Sequence, residues 1–416
     1  MNVRQSVLSV LRSRVSILIS QRSVVRRRQY PTRANSLVSF LFIVSALPLA
    51  LLVLPITVVG ALTMRRRLRV AVLDIENEFA PFIEIMEYLR SVTKSGAEWD
   101  LIFVLSKYSH NTLDEMYSRE FQCPVVRRRG LLGLFQQVVL LQPAVVLAGT
   151  RFTGSRTFSL PQRELPVSDV LVSLRKNVLD NLGFGHTKYV AMAVYTLQYD
   201  EERDPREAKK HAILESHGVD LVAGIDYLYK SNVGVVLLGS EDTKKSRIPR
   251  DVPRLSSFGE LGGAQEVALA SGCNYFWNDS DVGAWWLGLP FKRPILTTNK
   301  PRIRLKTDFT GYEHLVVPVR YRRIDGTFVT FRDLLSMKSA PFKEASAGRL
   351  LIIRNSPDEI IEAHREMKAR IDGTWNEDSE MKMLGERCRK VFADYPESFP
   401  MKISSYFLRK HQYLLD

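Results

Sequence analysis

The sequence predicts an α/β protein: two open, parallel-sheeted units joined by a linker, finished by C-terminal helices and preceded by a membrane helix. Three observations carry that expectation. Short apolar runs alternate with helix-period stretches from residue 69 onward. The rhythm breaks once, at the turn-rich RFTGSRTFSLPQRELP of residues 151–166. Residues 36–64 carry no charged side chain.

The N-terminal arm comes first. The formal net charge is +14, yet Arg4, Arg12, Arg14, Arg22, Arg26, Arg27, Arg28, Arg33, Arg65, Arg66, Arg67 and Arg69 precede the first acidic residue, Asp74. Those twelve arginines leave only +2 for the remaining chain, so the basicity belongs to the arm. A nucleic-acid binder would carry a basic stripe on its folded domain, and that class is set aside. Residues 1–35 read as an amphipathic helix on anionic lipid or as a disordered basic tail.

The segment SLVSFLFIVSALPLALLVLPITVVGALTM, residues 36–64, is long enough to cross a hydrocarbon core of ~30 Å at ~1.5 Å per residue. A signal-peptide core is shorter, and a cleavage site followed by RRRLR would be unusual. Arginines flank both ends, and Pro48 and Pro55 suit a kinked re-entrant wedge as well as a single tilted span. Cys123, Cys273 and Cys388 show no CxxC spacing, which argues against a disulfide framework or a zinc site.

The first α/β domain with its linker spans residues 65–165. RVAVLDI (69–75), WDLIFVLSKY (99–108), PVV (124–126) and AVVLAGT (144–150) read as buried parallel strands. ENEFAPFIEIMEYLRSV, NTLDEMYSREF and LLGLFQQVVLLQ read as the helices between them. The second domain spans residues 166–345, with strands expected at DVLVSLR (169–175), GVVLLG (234–239), NYFW (274–277) and PILTT (294–298). Helices are expected between 205 and 231, over 264–271 and from about Val282. Residues 346–416 form the closing helices; NSPDEIIEAHREMKARI opens with a capping box of Ser356, Pro357 at the first helical position, and Glu359.

In two Rossmann-like units, ligands sit beyond the carboxyl ends of the strands. That rule selects Arg175 and Lys176 to neutralise a diphosphate, and Gly239, Ser240 and Glu241 for close backbone approach and hydrogen bonds to a ribose or base. Asn278, Asp279, Ser280 and Asp281 stand before a helix whose dipole favours a phosphate, with Trp285 and Trp286 pinning that helix. Thr298 ends the last strand. Asp279-Ser280-Asp281 matches a D-x-D pattern, but two carboxylates are few ligands for a hard cation, and no metal is expected. Glu78, with Glu76 beside it, and His186 in NLGFGH are candidates for the general base. No G-x-G-x-x-G follows the first strand, where DIENEF stands, which speaks against a dinucleotide-dependent oxidoreductase.

On VSLRKN, GVVLLGSE, NYFWNDSDVGAWWLGLPFKRPILTTN and IIRNSPDEIIEAHREM, the chain from about residue 69 onward resembles bacterial surface-glycan glycosyltransferases of GT-B type. These are distantly similar to the GDP-fucose-dependent fucosyltransferases. The resemblance implies two facing Rossmann-like domains, metal-independent transfer, and a nucleotide-sugar co-substrate such as a GDP-sugar in place of a bound cofactor. It implies Arg175 at the nucleotide diphosphate, and Asp279 and Ser280 near nucleotide or phosphate. Lys176-Asn177 and WNDSD depart from the family's usual continuations. Membrane lipids and a glycan or lipid-linked acceptor are the expected partners, at the cytoplasmic face of a bacterial inner membrane. The alternative is an inactive membrane-bound scaffold on the same fold.

Overall fold

The structure is a computed structural model. It describes strand backbone at residues 68–73, 101–104, 125–127, 145–150 and 158–159, and then residues 164, 167–185, 188–194, 218–238, 248–249, 251–255, 262–280, 287–303, 307–308, 312–337, 341–395 and 402–416. The chain divides into two compact units, Met1–Ser155 and Arg156–Asp416.

In the first unit β1 (Leu68–Leu73), β2 (Leu101–Val104), β3 (Val125–Arg127) and β4 (Val145–Thr150) form a parallel sheet of order β3-β2-β1-β4. Each strand falls on one of the four predicted apolar runs. Buried parallel strands need both faces apolar, so they read as continuous runs rather than as alternation. The predicted intervening helices, Glu76 and Glu78 lie outside the described residues, as does the predicted membrane segment 36–64. Among the described residues no helix is long and apolar enough to cross a membrane.

The second unit opens with β5 (Phe158–Ser159) and α1 (Asp169–Asn181). Here the structure corrects the sequence reading: DVLVSLR is helix, not strand. Ser168 caps it, its side chain accepting from Leu171 N. Leu171 and Val178 are buried while Val170 and Val172 are exposed, a helical stripe that the V-L-V-S-L alternation disguised.

The strand that opens the second sheet is instead β6 (Tyr189–Ala193). It is followed by α2 (Gly218–Lys230), β7 (Gly234–Leu238), α3 (Gly262–Gly272), β8 (Phe276–Asp279) and β9 (Ile295–Lys300). Then come β10 (Thr307–Asp308), which pairs with β5, β11 (His314–Pro318) and the antiparallel pair β12 (Arg320–Arg323) and β13 (Leu350–Ile353). Two short helices, α4 (Phe331–Ser336) and α5 (Pro341–Ser346), separate that pair. α6 (Pro357–Ile371), α7 (Ser379–Ala393), β14 (Lys402–Ile403) and α8 (Ser405–Lys410) close the unit.

The six-stranded sheet is parallel throughout, in the order β14-β11-β9-β8-β6-β7. The chain steps from β6 outward to β7, then returns across β6 to β8 and continues away. Right-handed crossovers therefore put α2 and α3 on opposite faces. Accordingly α2 packs on α6, and α3 packs on α1. The direction reverses between β6 and β8, which opens a crevice at their carboxyl ends.

Val190, Ala191, Val235, Val236, Phe276, Trp277, Leu296 and Val316 make the fully buried centre of the sheet. α2 lies on it through Gly224, where an added Cβ would sit 2.8 Å from both Ile360 Cγ2 and Trp277 Cη2. Beyond the other side, Leu237 in β7 donates to nothing in a seventh strand. Its N–H bonds Pro253 O at 2.9 Å, and its carbonyl accepts Leu255 N at 3.0 Å.

The predicted capping box is present: Ser356 Oγ accepts from Glu359 N, and Glu359 Oε2 accepts from Ser356 N at 2.9 Å. Two buried carboxylates of α6 then hold the C-terminal segment. Glu366 accepts from Ser404 Oγ at 3.1 Å and Ser405 N at 2.8 Å, and Glu359 meets His411 Nε2 at 2.7 Å and Lys410 Nζ at 3.2 Å. Burial raises the Glu359 pKa, but His411, the Ser356 N–H, Arg320 and Lys410 outweigh it and hold the carboxyl near 2.

Candidate functional site at the carboxyl ends of the second sheet

β8 runs two residues further than the apolar NYFW suggested, taking Asn278 and Asp279 into the sheet. Asn278 pairs with Ala193 of β6, at the switch point, and Asp279 pairs with Thr298 of β9. β8 then turns at Ser280, with φ 65°, and β9 carries Asn299, with φ 50°, one residue before its end. Asn is among the few non-glycine residues that enter this region readily, and the side-chain bonds of Asn299 hold it there.

Asp279 is fully buried, and its carboxylate is the hub of this end of the sheet. Oδ1 accepts from Thr298 Oγ1 at 2.9 Å and from Asn299 Nδ2 at 2.8 Å. Oδ2 accepts from Arg354 Nη2 at 3.0 Å, and Arg354 Nε reaches Asp220 Oδ2, in the first turn of α2, at 2.7 Å. Trp277 Nε1 donates to Thr298 Oγ1 at 3.0 Å. Asn299 and Asn355 exchange bonds from main-chain N–H to side-chain oxygen at 2.5 and 2.7 Å.

So the polar tetrapeptide has a physical reason to be set among aromatics. Its acid Asp279 joins β8, β9 and the β13–α6 connection, and through Arg354 reaches α2, and both of its buried oxygens have hydrogen-bond partners. Ser280 N adds a bond to Thr298 O at 2.9 Å.

Asn278 differs. It is fully buried, and its Oδ1 has no hydrogen-bond partner. Its Nδ2 donates to Ser280 O at 3.4 Å, so a flipped amide would set two oxygens against each other, and the orphan is the oxygen. Gln265, in the first turn of α3, also has a buried Oε1 without a partner. α3 runs from the carboxyl end of β7 to the amino end of β8, so its first turn lies at the same end as Asn278. Two unmatched acceptors and a helix N-terminus suit a ligand with hydroxyl or amino donors beside an anionic group.

The predicted site residues are not all brought together. Asn278, Asp279, Ser280 and Thr298 are neighbours at this end. Arg175 is not a strand tip. It lies in the middle of α1 with its guanidinium over Gly272, the last residue of α3, at the amino end of the sheet. Lys176 is exposed on the same helix. His186, Gly239, Ser240, Glu241, Asp281, Trp285 and Trp286 lie outside the described residues, as does the start of the helix expected from Val282; its end is a short 3-10 turn at Leu289–Phe291. Among the described residues no group of His, Cys, Asp and Glu is arranged to hold a metal ion.

Sequence reasoning missed Asp220, Arg354 and Asn355. A signal existed: an acid at the end of an apolar strand needs a cation, and Arg354-Asn355 directly precedes the capping box.

No family model matches the chain, and no curated protein matches it in sequence. Solved structures do resemble it in course. A family 9 glycosyl transferase from Veillonella parvula is 12% identical, with a TM-score of 0.42 over 73% of this chain and 97% of that one. The dodecameric iron-containing heptosyltransferase TibC, in complex with ADP-D-β-D-heptose, is 11% identical, with a TM-score of 0.38 over 74% and 79%. ADP-heptose LPS heptosyltransferase II of E. coli is 14% identical, with a TM-score of 0.30 over 70% and 83%. Likeness at this distance does not decide chemistry, which has to come from the chain's own residues.

A pocket of about 80 Å³ lies at the opposite, amino end of the sheet, between α2 and α6. Tyr275 and His364 form part of its wall and bond to each other at 2.6 Å. Burial holds His364 near pKa 3, so it stays neutral inside.

Proposed function

We propose that the chain is a glycosyltransferase of GT-B type, moving a sugar from a nucleotide-sugar donor to a membrane-associated glycan or lipid-linked acceptor. Residues 36–64 anchor it, with the catalytic part on the cytoplasmic side of a bacterial inner membrane. The observation that carries this reading is the switch-point crevice of the second sheet, where Asn278 presents a buried acceptor without a partner. A sugar or ribose hydroxyl supplies the missing donor, and the first turn of α3 favours the diphosphate. Departure of a nucleoside diphosphate leaves new negative charge, which preorganised N–H groups stabilise without a metal. Glu78 or His186 takes the acceptor's proton.

Two observations favour the second reading, an inactive scaffold on this fold. Arg175 stands at the far end of the sheet and Asp279 is engaged internally. Calorimetric titration of the full chain in neutral detergent with GDP-, UDP- and ADP-sugars separates the two. Binding weakened roughly tenfold by Asn278→Ala, about 1.4 kcal/mol, supports transfer. Absence of binding to any of these donors supports the scaffold.

A further inference from the structure

The amino-terminal edge of the six-stranded sheet carries a cluster for which sugar transfer has no use. There β6 and β9 flank β8. Asn274 N bonds Tyr189 O at 2.8 Å, and Phe276 N bonds Pro294 O at 2.8 Å, so Tyr189 and Arg293 stand on either side of the β8 entry. The last turn of α3 ends against them. The Tyr189 hydroxyl donates to Leu269 O at 2.6 Å, the Cys273 thiol donates to Ala270 O at 3.3 Å, and the Arg175 guanidinium lies on Gly272. Arg175 and Arg293 both lie near enough for their charges to act on Tyr189 and on Cys273.

Several arginines elsewhere in this unit have counter-charges: Arg320, Arg323, Arg354, Arg370 and Arg409 each reach a carboxylate. Arg175 and Arg293 are half-buried, and among the described residues neither forms an ion pair; Arg293 Nε is buried with no hydrogen-bond partner. The C-terminus of α3 supplies only about half a negative charge against two positive ones. Two half-buried guanidinium groups near one turn attract an anion, and their planar forks match phosphate oxygens.

We propose that Arg175 and Arg293 form a phosphate-binding site at the amino-terminal edge of the second sheet, at the opposite end from the switch-point crevice. Its ligand is a phosphate group, either free or on a lipid head group. The site does not depend on the transferase reading: a chain that binds phosphate here and no nucleotide sugar keeps this site and loses that activity.

The test uses the full chain in neutral detergent, with inorganic phosphate compared with chloride at matched ionic strength. Phosphate is expected to raise the melting temperature by about 2–4 °C near saturation. Arg175→Gln and Arg293→Gln abolish the shift. Gly272→Ala keeps both charges but displaces the Arg175 guanidinium, so it reduces the shift and still answers if an arginine variant folds poorly. Equal responses to phosphate and chloride, or a full phosphate response in all three variants, overturn the proposal. Titration with soluble dihexanoyl phosphatidic acid separates the sources. Binding at least tenfold tighter than inorganic phosphate, lost in the same variants, assigns a lipid head group, and comparable binding assigns free phosphate.

Discussion

Asn299 and Asn355 hold each other's backbones: each side-chain oxygen accepts the other residue's main-chain N–H, at 2.5 and 2.7 Å, in a fully buried setting. The pair fixes the end of β9 against the entry to α6, and Asn355 Nδ2 adds a bond to Pro318 O at 2.9 Å. Replacing Asn355 by Ala leaves the Asn299 N–H and the Pro318 carbonyl without their partners in a dry site. The expected loss is about 2–4 kcal/mol, read from urea unfolding. Asn355→Asp should recover part of it, because an aspartate oxygen still accepts from Asn299 N.

Asp279→Ala removes the hub from Arg354, Thr298 and Asn299 together. Arg354 retains Asp220, which is partly exposed, but loses its fully buried partner. A loss of about 3–5 kcal/mol is expected, as when one member of a buried pair is deleted. Asp220→Ala should cost much less. Equal costs in chemical denaturation would show that the network is not centred on Asp279.

Gly224→Ala tests the approach of α2 to α6 and the sheet. A Cβ there would meet Ile360 Cγ2 and Trp277 Cη2 at 2.8 Å and His364 Nε2 at 3.0 Å. Alanine ordinarily favours helices over glycine, so an exposed site would gain about 1 kcal/mol. Here overpacking should reverse the sign, to a loss of about 1–3 kcal/mol. A stabilised variant would mean that the helix shifts freely.

Stability should begin to fall well above the carboxylate range as pH is lowered. Burial holds His314, beside Lys300, and His364 near pKa 3, against an ordinary 6.5. Below about pH 6.5 the unfolded chain takes up protons that the folded chain refuses, down to about pH 3. Each histidine then contributes a slope of roughly 1 kcal/mol per pH unit. Glu359 adds a second loss, since its depressed carboxyl stabilises the fold above its ordinary 4.5 and releases that contribution as pH falls toward 2. Urea midpoints measured from pH 7.5 to 4 should decline throughout, and His364→Phe should flatten the upper part of the decline.

How much of this was legible in the sequence depended on whether the signal was local. The four strands of the first sheet were readable because each is a continuous apolar run, and the α6 cap because Ser356, Pro357 and Glu359 are spaced along one turn. α1 was misread because Val170, Val172 and Leu174 alternate like a strand, while the decisive pair, Leu171 and Val178, is spaced as a helix. With that stretch taken as the first strand, YVAMA of β6 went unassigned. At the site, the apolar run NYFW leads to a strand end that Asn278 and Asp279 complete. Their chemistry was not legible, because it depends on Arg354 and Asn355, about 75 residues further along the chain.

The bonds that Leu237 makes with Pro253 and Leu255 bear on how copies of this protein behave at high concentration. β7 is the outermost strand on its side, and an open strand of five buried apolar residues invites another chain to add to it. The chain covers that rim itself. Pro253 contributes its carbonyl and has no N–H to pass the pattern outward, so the ladder stops there. At high concentration neighbouring copies meet often. Sealing this rim keeps such encounters from growing into a shared sheet.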